Sequence, residues 1–357
     1  MKKIIFKNIF FFLALLIFPL SSYSYTTLKT SHFYIHAPKD VEEKTLIEMG
    51  EWAEGAYKTL REIFPYDVAP VHIHVHHQMD LANGSASNIV LNKINVFLHS
   101  PGPQEEFSFQ NWFQSLIIHE LTHVFELDAS RGYAKILRFL FGKPPVPFTT
   151  PNTTAPFWFH EGMAVFNETL LTSDGRLNSP FYQSIFRATA LSNAFPNISR
   201  LNFYDLNPQY PYGSSVYVFG SGFFNYLYQM ANQDFKITGE LSYRQGGRFF
   251  YFINYGAEEY FEEKLSQDQL PKDLAYSVLY QKWVKEEIAF QKEQVALLAK
   301  TPFSTTHTLF EDNNKLIEAM ALINSTNLLY IAHHTQAPSG LFLYNTETEK
   351  HTRILKE

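Results

Sequence analysis

The sequence predicts an α+β fold, and three observations carry that prediction. Short segments with period-two hydrophobicity, interrupted by one helical segment, lie between residues 32 and 98, helical periodicity dominates from residue 107 to residue 299, and strand formers separated by turn residues return from residue 316. The composition allows such a fold a large core, since 45% of the 357 residues are apolar and 17% aromatic against 18% charged. A formal charge of −6 gives no general attraction to phosphate and argues against a nucleic-acid binder. The absence of cysteine removes disulfides, thiolate metal sites and a cysteine nucleophile, so any metal must take nitrogen and oxygen ligands.

The chain opens with Lys2, Lys3 and Lys7, continues with an unbroken apolar run over residues 9–20, and then carries small polar residues up to Ser24. This is the layout of a cleavable export signal. The run of 12 residues is short of the roughly 20 that cross a bilayer, which makes a retained membrane anchor the weaker alternative. Cleavage after Ser24 removes three lysines and no acids, so the formal charge moves from −6 to −9. The expectation is an acidic exported protein without a stable membrane span, periplasmic in a bacterial envelope or, second, secreted.

Residues 32–36 alternate as a short strand, and residues 41–64 place apolar side chains at helical spacing as far as Pro65. Residues 71–77 alternate strictly, and an Asn83-Gly84 turn leads into a strand pair over residues 87–98. Residues 107–127 form the strongest helical segment. A stretch rich in proline and threonine, residues 142–156, separates it from a helix that begins at Trp158. Further helices are expected over residues 184–192, 214–231, 257–265 and 274–299, and short strands over residues 327–333, 340–345 and 352–355.

His119-Glu120-Leu121-Thr122-His123 is an HExxH motif inside the strongest helix. Positions i and i+4 share a helix face, so two imidazoles converge on one ion while Glu120 sits beside the open coordination position, the arrangement of a hydrolytic zinc site. Leu116, Ile117, Ile118, Leu121, Val124 and Phe125 make the helix apolar nearly all round, which predicts burial. Two histidines and a glutamate in a buried helix need partners, and a metal supplies them. A catalytic zinc wants a third protein ligand. Residues 124–129 hold no third histidine, whereas the next helix offers both His160 and Glu161.

That helix reads Trp158-Phe159-His160-Glu161-Gly162-Met163-Ala164, and the two motifs together resemble the gluzincins, zinc peptidases in which a W-x-x-E-G-x-A helix follows HExxH. The closer resemblance is to the bacterial peptidase MA-like domains found in front of TolB-like β-propellers, through Leu127-Asp128, Arg131-Gly132, Phe141-Gly142 and Gly175-Arg176 as well. It extends over roughly residues 32–300, and its most specific parts are the two helix motifs. The resemblance implies a thermolysin-like metallopeptidase domain over residues 25–300, a small mixed sheet plus a mainly helical part, between a signal peptide of residues 1–24 and a partial propeller blade of residues 301–357. One blade cannot close a ring alone, so these last strands would pack on the domain or on a partner.

The resemblance also assigns roles. It implies one Zn2+ ion held by His119, His123 and Glu161, with His160 as the rival third ligand. Glu120 would be the general base that takes the proton of a zinc-activated water and returns it to the leaving amine. An oxyanion-stabilising group is expected from residues 210–220, where Tyr217 is the first choice and Tyr212 the second; an aromatic core role is equally open to both.

Glu126 and Glu168 fall on the ligand faces of the two helices and are candidates for orienting the ligands. His72, His74 and His76 lie on one strand face, suited to a second metal, a cleft wall or a solvated surface. Residues 135–141 are basic and apolar, and a packed connector is expected there before a membrane or partner contact. The expected function is an exported zinc metallopeptidase acting on a peptide or protein. The alternative is a catalytically inactive or structural-zinc envelope protein that docks a partner through its propeller-like strands. An intact Glu120 favours the enzyme, because a structural site closes its fourth position and needs no base.

Overall fold

The computed structural model describes residues 25–77, 82–99, 112–143, 148–173, 175–248, 253–300, 315–334 and 339–356. The expected signal peptide and the first residues of the helix expected from 107 lie outside them. The described residues form an α+β structure with nine α-helices and two sheets.

Strands β1 (Tyr25–Lys29), β2 (Phe33–Pro38), β3 (Val71–His76), β4 (Ala82–Ser87) and β5 (Asn92–Leu98) make a mixed sheet in the order β1-β2-β3-β5-β4. The inner strands β2, β3 and β5 are parallel, and β1 and β4 close the two edges antiparallel. Alternation puts Ile35, Ile73 and Ile94 in one row across the sheet, with Val75 and Val96 in the next, all fully buried. Helix α1 (Glu43–Ile63) covers them with Leu46, Met49, Ala53, Tyr57 and Leu60, spaced at three and four residues. It ends where Phe64, held extended before Pro65, leaves the helical region.

Helix α2 (Trp112–Asp128) packs between α1 and α4 (Phe157–Leu171), and α4 in turn crosses α6 (Ser215–Met230). Both α2 and α4 are buried on almost every side, as the apolar sequence of each requires. Helices α3 (Tyr133–Phe141), α5 (Pro180–Ser192), α7 (Ile237–Gln245), α8 (Asn254–Lys264) and α9 (Tyr276–Leu298) complete this part. Trp158, Phe159, Phe223 and Tyr276 interlock edge to face in its core, and Trp283 tilts against Phe223. Strands β6 (Lys315–Leu322), β7 (Asn327–His334), β8 (Gly340–Asn345) and β9 (Lys350–Lys356) form an antiparallel meander around a small core of its own, Leu328, Tyr330, Ala332 and Tyr344. No helix among the described residues is long and apolar enough to cross a membrane.

Two local expectations are corrected. Asn83-Gly84 lies inside β4 and makes no turn; the chain reverses over residues 88–91, where Val90 takes a left-handed φ of 64°. Gly84 serves packing instead, since a Cβ there would come within 2.8 Å of the Glu120 side chain. Residues 133–141 form a helix that is anchored on one side only. Arg138 reaches the Asp128 carboxylate at 3.0 Å and Ala134 is buried, while Ile136, Phe139, Leu140 and Phe141 face solvent, Phe139 at 87% exposure. Strand β1 and helix α7 were not expected. The former is an exposed edge with no apolar alternation, and the latter buries the polar Thr238, Ser242 and Gln245.

Candidate metal centre

Helical periodicity sets His119 and His123 side by side on α2, and the crossing with α4 brings Glu161 against both. His123 Nε2 lies 3.2 Å from His119 Nε2 and 3.2 Å from Glu161 Oε2, and His119 Nε2 lies 3.3 Å from the same oxygen. These three buried groups could hold a metal ion. The triangle fits one closely, because ligands at about 2.0–2.1 Å from a tetrahedral ion stand about 3.3–3.4 Å apart.

Charge balance points the same way. Four carboxylates are buried here: Glu120, Glu126, Glu161 and Glu168. Glu168 is paired with the buried Arg176, whose Nη2 lies 2.9 Å from Oε2, and despite burial that guanidinium holds its pKa below the ordinary carboxylate range. Glu126 is paired with His160, Oε2 to Nδ1 at 2.7 Å. Burial opposes charge on His160, but the Glu126 carboxylate overrides it and raises the pKa. Glu120 and Glu161 then remain without a fixed cation, and a divalent ion would supply the positive charge that their burial lacks.

Their surroundings separate these two acids. Glu161 is held well below the ordinary carboxylate range, because the two imidazoles outweigh the cost of burial. Glu120 is pushed up to about 7, by burial first and by the charge on Glu161, with His123 and Arg176 opposing. Among the described residues its Oε2 has no hydrogen-bond partner, and the side chain sits against the glycine that β4 supplies at position 84. A buried carboxylate left without a partner and tuned near neutrality is suited to moving protons.

A second layer fixes the ligands. Tyr204 donates its hydroxyl to Glu161 Oε1, which leaves Oε2 for the histidines. Arg176 Nη2 lies 2.8 Å from His119 Nδ1, and Glu168 Oε2 lies 3.5 Å from the same nitrogen. A guanidinium only donates, so at that distance His119 Nδ1 accepts from Arg176; a metal on Nε2 would put the proton on Nδ1, which would then have to turn to Glu168. Two glycines make the geometry possible. A Cβ at Gly162 would lie 2.4 Å from the carbonyl carbon of Gly220, so α4 and α6 touch there, and Tyr217, three residues before Gly220, reaches the cleft. A Cβ at Gly175 would lie 2.1 Å from Thr169 Cα, so the chain can press against α4 and deliver Arg176 inward.

The triangle opens into a cleft of about 600 Å3, whose walls include Gly84 and Ser85 of the edge strand, His160, Arg176, Tyr204 and Tyr217. Tyr217 lies with its ring 6.3 Å from that of His119 and its hydroxyl 3.4 Å from that of Tyr204. Tyr212 is 59% exposed and does not line the cleft. His160 is turned to Glu126 and stands in the wall, outside the ligand triangle. Tyr204 and the role of Arg176 escaped the sequence reading. Tyr204 is one of 21 tyrosines with no spacing that marks it, and Arg176 is 53 residues beyond His123, held by a contact that only the fold creates. Compared with known proteins, the chain matches no family model and no curated protein.

Proposed function

We propose that this chain is an exported zinc metallopeptidase of gluzincin type, working in a bacterial periplasm and hydrolysing peptide bonds in a peptide or protein substrate. The observation that carries the reading is the His119–His123–Glu161 triangle at 3.2–3.3 Å with the partnerless Glu120 carboxylate beside it. Zinc bound by those three residues supplies Lewis acidity, which polarises a carbonyl group and makes water a nucleophile near neutral pH. Glu120 accepts the proton of the attacking water on its free oxygen and passes it to the departing amine nitrogen. Tyr204 holds Glu161 in its ligating orientation, and Glu168 steadies His119. Tyr217 stands in the wall as a candidate donor to a developing oxyanion. Strand β4 is an unpaired sheet edge along the same cleft, which supports an extended peptide as the substrate, aligned by backbone hydrogen bonds.

Zinc analysis of the purified protein, paired with a peptide-library digest with and without EDTA, tests this. One tightly held zinc and EDTA-sensitive cleavage are expected in the wild type, with zinc retained and cleavage lost in Glu120→Gln. No tightly held metal would remove the proposal, and cleavage that survives the substitution would refute the base.

A second reading is favoured by the C-terminal meander, whose outer strands expose Met320, Leu322, Ile354 and Leu355. Under that reading the sheet is a single propeller-like blade that presents an apolar surface to an envelope partner, and the metal is structural. It requires firm metal retention with no EDTA-sensitive cleavage.

A further inference from the structure

Two stretches of chain put large apolar side chains into solvent at one place on the surface. Helix α3 turns Ala134 and Arg138 inward and leaves Ile136, Phe139 and Leu140, spaced at three and four residues, on its outer face, with Phe141 exposed at its end. The chain reversal after β4 adds Ile89, Val90 and Leu91, each at least half exposed. The two stretches meet, because Val90 N donates at 3.3 Å to the carbonyl oxygen of Lys143, two residues beyond α3. The reversal is tied down from the inner side, where the buried Asn88 donates to Leu127 O and the buried Asn92 to Val68 O, both at 2.6 Å. Between these anchors Leu91 N donates to Ile89 O at 2.7 Å around the left-handed Val90, a tight turn that a β-branched residue enters at a cost. Monomers rarely expose so large an apolar patch without a use for it.

Charge identifies what covers the patch. The chain as a whole is acidic, at −6, yet residues 81–104 and 129–160 hold Lys93, Arg131, Lys135, Arg138 and Lys143 with no aspartate or glutamate. The buried Asp128 neutralises Arg138 and Lys143 from the inner side, whereas among the described residues no carboxylate pairs with Lys135, which is exposed one turn before Phe139. We propose that α3 and residues 89–91 dock on an anionic lipid bilayer, with the apolar side chains in the acyl boundary and Lys135 at the level of the phosphates. An anionic surface repels every carboxylate brought to it, which matches a patch that has none; an apolar groove on a protein sets no such condition. Docking also holds the cleft near the lipid, because β4, whose Asn83 to Ala86 line that cleft, reaches Ile89 three residues later, at most about 11 Å away. It rests on none of the metal chemistry and is tested apart from it.

The chain has no cysteine, so Phe139→Cys can carry a single environment-sensitive dye. Its emission should shift to the blue on vesicles of phosphatidylglycerol and phosphatidylethanolamine and stay unchanged on phosphatidylcholine vesicles. In co-sedimentation the wild-type chain should prefer the anionic vesicles by about tenfold and lose that preference in about 1 M salt, where the screening length is only about 3 Å. Phe139→Ser/Leu140→Ser should weaken the binding by more than about tenfold, and Lys135→Gln by about fivefold. All three positions are exposed, so thermal unfolding of the variants should match the wild type. An unshifted dye, equal binding to both kinds of vesicle, or equal binding of the wild type and the serine variant overturns the proposal. A wild-type dimer that the serine pair dissolves, with no vesicle binding, overturns it as well and assigns the patch to a second copy of the chain.

Discussion

Imidazoles gather in two regions of this molecule, and the company they keep differs. Where α2 crosses α4, His119 and His123 share a buried triangle with Glu161, and Glu120, Glu168, Arg176 and Tyr204 stand around it. On the solvent face of the sheet, His36, His72 and His74 meet beside Thr27 and Lys93. Among the described residues, only the first place brings three ligand atoms close enough together to hold an ion. Only the first buries two uncompensated acids, one tuned downward to ligate and one tuned upward to about 7. The difference teaches that histidines gathered on one face do not by themselves make an ion site, and that the buried group differs further by an environment that drives two carboxylates apart in pKa.

The largest expected effect falls on the residue that the sheet face lacks. Glu120→Gln should lower kcat/KM by about 10²–10⁴ while zinc content is unchanged, read by steady-state assay and metal analysis on one preparation. Next comes the scaffold of the buried centre. Gly162→Val forces atoms into the Gly220 backbone and should destabilise the protein by more than about 3 kcal/mol, whereas Gly55→Ala, at a position on α1 with open space around it, should change stability by less than about 1 kcal/mol. Denaturant titration of the two variants gives the contrast.

A third expectation concerns pH. The pKa of Glu120 is raised from 4.5 to about 7 in the folded metal-free protein, so the stability associated with its protonated form is complete below pH 4.5 and is lost as pH rises through about 7. Glu120→Gln should therefore make the metal-free protein more stable at pH 8, by about 2–3 kcal/mol, with the gain vanishing near pH 4. Equal stability of the two proteins at pH 8 would deny the burial cost assigned to this acid. Tyr204→Phe should weaken zinc affinity by about 10–100-fold in a competition titration, because Glu161 loses its hydroxyl partner. The smallest effect belongs to the sheet face, where His36→Gln/His72→Gln should leave kcat/KM within about twofold, as expected of residues that share no partner with the buried centre.

Much of the buried centre was legible because it is written in local periodicity. His119, Glu120 and His123 are fixed by a single helix, and the apolar residues around them already required burial. Glu161 needed a crossing of two helices, which no spacing within α2 foretells, and it was reached through a motif resemblance. The α+β order, α1, and the strands β2, β3 and β5 followed from alternation and helical spacing for the same reason. What escaped depends on tertiary contact. Asn83-Gly84 has the composition of a turn, yet Gly84 lies in a strand because Glu120 occupies the space of its Cβ. His36 lies 36 residues before His72 in the chain and meets it only through parallel pairing of β2 with β3. The stretch of residues 135–141 was expected to pack as a connector because apolar residues usually find cover, and here Phe139 and its neighbours remain outside.

The most direct test is a crystal structure of the zinc-loaded protein with anomalous data collected at the zinc edge. A peak within about 2.0–2.2 Å of His119 Nε2, His123 Nε2 and a Glu161 carboxylate oxygen, with Glu120 beside it and outside bonding distance, is the predicted result. No peak between α2 and α4, with Glu161 turned away from both rings, would contradict it.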